Sequence, residues 1–160
     1  MVSVIVLLLG ILAGLVITPV LFVRGLVLGV SRKRRSPGVP WKVAALLAGA
    51  VATGVYVWGM LLVFSDVMSA EDGGADSSPL LPCRSAGMAK AMHVVDYGID
   101  FVPLRFECRL NGGGSYATSS VPAYLTPAAA ALGLAGIGFR VRYAVVADRS
   151  SPSRRAEPAR

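Results

Sequence analysis

A chain of 160 residues that is 54% hydrophobic and 16% charged is more apolar than an ordinary soluble domain, whose apolar share is about 45–50% on a similar count. Its apolar stretches and their connections consume nearly all of it, which excludes a hidden soluble catalytic domain of about 100–150 residues. The net charge of +7 invites a nucleic-acid reading, but the charge is segregated along the chain and reads as a membrane-topology signal instead.

Residues 2–23 form the first apolar stretch, uncharged throughout and long enough for a hydrocarbon core that needs about 20 residues. A cleaved signal peptide would place positive charge first, then a shorter apolar run and a small-residue cleavage site. Here charge follows the run, so the segment is expected to stay as an anchor. Pro19 is expected to kink it, with Thr18 as a local hydrogen-bonding partner. Arg24 lies where its long stem carries the guanidinium to the interface. Residues 25–30 either extend the helix or lie along the inner surface, giving a first unit of 1–30.

Residues 31–42 form a basic loop. Arg24, Arg32, Lys33, Arg34, Arg35 and Lys42 face no acidic residue in this region. Lysine and arginine gather on the cytoplasmic side of membrane spans, and a basic loop there also attracts anionic lipid at about 1 kcal/mol per residue. Arg32, Lys33, Arg34 and Arg35, with Arg140 and Arg142 of the later stretch, are the expected head-group contacts.

Residues 43–64 form the second span. Trp41 and Lys42 suit its inner interface, and Tyr56 and Trp58 its outer one. Ala45, Gly49, Ala52 and Thr53 recur at helical spacing. Small residues four apart let helix backbones approach closely, and such pairs recur at Gly10/Gly14, Gly25/Gly29, Ala50/Gly54 and Ala129/Gly133. They imply packing among the chain's own helices, with homodimerisation through Gly10 and Gly14 as the alternative.

Residues 65–122 form a large loop in which Arg84, Lys90, Arg105 and Arg109 are outnumbered by Asp66, Glu71, Asp72, Asp76, Asp96, Asp100 and Glu107. An acidic, polar run over residues 69–78 reads as mobile. The only two cysteines, Cys83 and Cys108, both fall here. Outside the cytoplasm thiols are oxidised, so a disulfide is expected, worth about 3–4 kcal/mol on the chain-entropy model. Residues 104–110 alternate apolar and charged side chains, the mark of a half-buried strand with Leu104, Phe106 and Cys108 inward. Residues 94–101 read as a second strand ended by Pro103, residues 116–121 as a short returning strand, and residues 86–92 as a helical turn. Together they predict a small sheet of two or three strands, pinned by the disulfide and resting on the outer ends of the helices.

The third span runs over 123–147. Thr126 followed by Pro127 reads as an N-cap and first helical residue, and Arg140 and Arg142 lie near the inner end. Residues 148–160 read as a basic, disordered cytoplasmic tail whose Ser150, Ser151 and Ser153 offer sites for regulation by phosphate.

The fold class expected is therefore an all-α membrane protein, with three transmembrane helices and a small, disulfide-stapled, partly β extracytoplasmic loop. Plasma-membrane residence is expected, with the N-terminus outside and the C-terminus cytoplasmic. The span interiors hold no Asp, Glu, His or Lys, the residues that mark ion pathways and intramembrane catalysis. His93, Asp96 and Asp100 match no zinc spacing, and cysteines so far apart match no C-x-x-C redox pair. No catalytic residue, metal or cofactor is expected. The function expected is that of a non-enzymatic interaction or accessory subunit, with membrane lipids and a homo-oligomer or larger membrane complex as partners and no nucleic acid. The alternatives are a thiol-redox or other loop-based enzyme and an oligomeric pore.

Overall fold

The computed structural model describes residues 2–31, 38–71 and 79–149. Its elements, in chain order, are α1 (Val2–Val30), α2 (Val39–Glu71), a 3₁₀ segment (Leu81–Ala86), a single turn α3 (Met88–Ala91), strands β1 (Val94–Phe101), β2 (Leu104–Leu110) and β3 (Ser115–Ala117), and α4 (Leu125–Arg149). The helices α1, α2 and α4 are each long and apolar enough to cross a bilayer.

Helix α2 is the spine. Helix α1 runs antiparallel along one side of it, so that Gly10 lies against Met60, Gly14 against Val57, Gly25 against Leu47 and Gly29 against Val43. Helix α4 runs antiparallel along another side, with Gly136 against the Gly49 backbone and Tyr143 against Gly38. Each flanking helix packs on α2, and the two scarcely meet each other. Apolar side chains point away from the bundle, among them Leu9 and Leu12 on α1 and Leu134 and Ile137 on α4, all at least 60% exposed. Continuous apolar surface of this kind is foreign to a monomer in water.

The first helix is continuous through Pro19 and Arg24, which settles residues 25–30 as helix. Thr18, expected to hydrogen-bond locally beside the proline, instead leaves its buried hydroxyl without a partner among the described residues. The second helix extends past the 43–64 stretch at both ends. Ser69, Ala70 and Glu71, expected within a mobile acidic run, complete its last turn because Val67 and Ala70 are buried against the sheet unit. Residues 72–78, the rest of that run, lie outside the described residues, as do Arg32, Lys33, Arg34, Arg35 and the tail from 150 to 160 with its three serines.

The sheet is antiparallel in the order β1-β2-β3. Leu104, Phe106 and Cys108 point inward, where Phe101, Ile99 and Tyr97 stand opposite them on β1. A bulge at Val95 breaks the register near the start of β1. The β2–β3 turn needs backbone with positive φ, supplied by Gly113 and Gly114 at 81° and 100°, a conformation open to glycine at little cost.

Candidate functional site

The sheet is mounted on α2, and one core runs from the helices into it. Leu7 and Ile11 of α1, Val57, Met60, Val63 and Val67 of α2, Leu104, Phe106 and Cys108 of β2, and Leu125 of α4 belong to a single buried cluster. Two close approaches seat it. A side chain at Gly59 would meet Leu104 Cδ2 at 2.7 Å, so the absent Cβ lets β2 sit down on the helix. The Leu104 N–H donates to Thr126 Oγ1 at 2.9 Å, which ties the same strand to the start of α4. Thr126 therefore is not the N-cap expected of it. The helix already begins at Leu125, with Ala128 N–H donating to the Tyr124 carbonyl, and the hydroxyl is spent on the strand.

Cys83 and Cys108 are joined, their Cα atoms 6.0 Å apart, and both residues are fully buried. The bond fastens the 3₁₀ segment to the middle of β2. Tyr116 reinforces it by donating its hydroxyl to the Cys83 carbonyl at 2.7 Å.

Polar contacts lock the sheet to the last two turns of α2. Tyr97 donates its hydroxyl to Glu71 Oε1, and its ring stacks on Phe106 with centroids 5.1 Å apart. The Glu71 hydrogen bond, then burial, then the nearby Glu71 and Asp96 charges hold the Tyr97 phenol up at about 12. Thr118, itself buried, donates its hydroxyl to Asp66 at 3.3 Å. Burial holds the Asp66 carboxyl above the usual carboxylate range, and hydrogen bonds from Ser120 and Thr118 offset only part of that rise.

The outward face of the sheet is a ladder of opposite charges. Arg105 reaches Asp100 and Glu107, each at 3.1 Å, while Arg109 lies across Gly98 towards Asp96 at 3.7 Å. Such exposed pairs contribute about 0–1 kcal/mol each, so they fix the pattern of the face more than its stability. Val95, Met88 and Met92 add exposed apolar side chains on the same unit. His93 is exposed, and no group of His, Cys, Asp and Glu suited to a metal occurs among the described residues.

Between α1 and α4 a groove of about 700 Å³ opens over α2, walled by Gly10, Gly14, Ala129 and Ala130 and closed at one end by Phe101 and Val102 of the β1–β2 hairpin. Its polar groups are internally satisfied. Tyr56 donates its hydroxyl to the Phe101 carbonyl at 2.9 Å, and Thr53 donates to the Gly49 carbonyl. Tyr56 is thus bound to the hairpin tip, while Trp58, placed with it at the interface by sequence, is 61% exposed.

The remaining sequence candidates divide by position. Gly10, Gly14, Gly49, Ala50 and Gly54 face neighbouring helices: Ala50 is 2% exposed, and a side chain at Gly54 would meet Thr18. Ala129 lines the groove, whereas Gly133 has nothing within 4 Å. Gly136 and Gly59 carry the contacts that the small-residue pairs did not single out. At the end of the bundle away from the sheet, Arg142 lies over Trp41 at 5.5 Å, and Arg140 is exposed. Comparison with known protein families, curated proteins and solved structures finds no match for this chain.

Proposed function

We propose that the chain is a three-span protein of the plasma membrane and acts as a non-enzymatic interaction or accessory subunit. Its sheet unit stands outside the cell and recognises a partner, while the open sides of α1 and α4 pack in a larger membrane assembly. The observation that carries this reading is the mounting of the sheet. A disulfide, a shared core and two polar contacts hold it rigidly beyond the apolar part of α2, and a rigid, pre-ordered surface loses little entropy on binding. Charge supports the orientation. Arg24, Lys42, Arg140 and Arg142 all gather at the end of the bundle opposite the sheet, as expected for a cytoplasmic side. Burial of both sulfurs supports a structural disulfide, since exchange requires access for an attacking thiolate.

The test is photocrosslinking in native membranes. A photoreactive residue at Arg109, on the outward sheet face, is expected to yield one discrete protein adduct, and the same residue at Ser31 is expected not to yield it. Only lipid adducts from both positions would count decisively against recognition by the sheet.

A further inference from the structure

At the end of the bundle away from the sheet a second cleft, of about 500 Å³, opens between the helices. Its lining combines Arg24 from α1, Lys42 from α2 and Arg140 from α4 with apolar side chains that include Val27 and Leu46. Three helices thus deliver three cations to one cavity. Like charges brought together repel, and no carboxylate among the described residues relieves them, since the ion pairs described all lie on the sheet. The Lys42 ammonium lies over the Tyr143 ring, 5.7 Å from its centroid. The cleft is separate from the apolar groove. Between them the seam is pinched at Gly49, approached by Leu21 from one side and Gly136 from the other.

We propose that this cleft binds a phosphate-bearing anion, its phosphate held by Arg24, Lys42 and Arg140 and any attached hydrocarbon lying against Val27 and Leu46. Phosphate matches the donor set. Guanidinium groups bind its oxygens through paired N–H bonds, and an ammonium adds a point charge. Basic pockets between helices at a cytoplasmic surface take lipid head groups by this chemistry. The phosphate chemistry stands on the cleft alone, whereas a lipid source rests on the reading of the helices as membrane spans.

Two arms of one experiment separate the sources. The purified full-length chain in non-ionic detergent is titrated with inorganic phosphate, following the fluorescence of Trp41, which packs beside the cleft on Phe139 and Arg142. The same chain in phosphatidylcholine nanodiscs with a minor fraction of phosphatidylglycerol is assayed for retained anionic lipid by native mass spectrometry. The variant R24Q/K42Q/R140Q is expected to weaken binding on the order of a hundredfold, about fivefold per charge. The sheet variant K90Q/R105Q/R109Q, with the same loss of charge at the far end of the bundle, is expected to stay within about tenfold of the parent. R24K/R140K, which keeps the charge but not the paired N–H donors, is expected to bind more weakly than the parent and more tightly than R24Q/K42Q/R140Q, which guards against a folding defect in the first variant. Variant-sensitive binding of phosphate alone assigns a soluble ligand, and variant-sensitive lipid retention assigns a head group. Phosphate binding by a chain that cannot be reconstituted would sink the span reading and leave the cleft standing. Equal weakening by the cleft and sheet variants, or no binding in either arm, overturns the proposal.

Discussion

Gly14 sits at a tight contact between α1 and α2: a Cβ there would lie 2.1 Å from Val57 Cγ2. Valine in a helix is held in one rotamer, so the clash must be relieved by moving a helix. Gly14→Leu is therefore expected to destabilise the full-length chain in detergent by about 1–3 kcal/mol, the usual range for overpacking, read as a lowered thermal midpoint. Gly133→Leu, with open space around it, is expected to fall within about 0.5 kcal/mol of the parent. Equal effects would show that the helix seams are misassigned. The comparison also shows what spacing alone conveys. Small residues four apart mark a helix face suited to close packing, but not which way that face turns. Gly136 carries the α4 contact three residues beyond Gly133, and Gly59 belongs to no such pair because its neighbour is a strand. Tyr97 offers a test in pH. Its phenol titrates at about 12 in the folded chain against an ordinary value of about 10. Protons are thus bound more tightly in the folded state, and the stabilisation is intact below pH about 10 and is lost as pH rises towards about 12. A spectrophotometric titration should show late tyrosinate absorbance, to which half-buried Tyr116 also contributes, and its latest part should disappear in Tyr97→Phe. An unchanged profile in that variant would remove Tyr97 as the late group.

Among the elements, β2 was the most legible, because a strand buried on one face must alternate and residues 104–110 do so without exception. The length of α2 was not legible. Its last turns carry Ser65, Asp66, Ser69 and Glu71, which end the apolar run, and the helix persists because Val67 and Ala70 are covered by an element distant in sequence. Thr126 misled for a similar reason. A threonine before a proline is a good helix start by local rules, but a strand amide competes for its hydroxyl. The disulfide has an element-scale consequence. It closes a loop of 25 residues between the 3₁₀ segment and β2, and constraint of the unfolded chain by such a loop contributes about 3 kcal/mol. Cys83→Ala/Cys108→Ala should speed hydrogen exchange at the β1–β2 amides while leaving the α1–α2 seam protected. Uniform loss of protection would mean that the sheet and the helices do not open separately.

At the scale of the whole molecule, Arg24, Lys42, Arg140 and Arg142 lie at one end of the bundle and the sheet at the other, a separation readable from sequence because charge tracks topology whatever the details of packing. The orientation follows by labelling. Lys90 is exposed on the sheet unit, whereas Lys42 stands at the other end in the basic cleft. An impermeant amine reagent is expected to modify Lys90 on intact cells and Lys42 only after permeabilisation, with the modified peptides identified by mass spectrometry. The reverse order would invert the protein. The cysteines are poor reporters here, since both are enclosed. How the ends are joined was hidden from the sequence, because it depends on α2 running unbroken from Val39 to Glu71. Thirty-three residues of helix make a rod about 50 Å long, held by the sheet at one extremity and, through Trp41 and Lys42, by Phe139, Arg142 and Tyr143 of α4 at the other. The sheet and the basic cleft thus share one continuous rod, with no break in the helix between them.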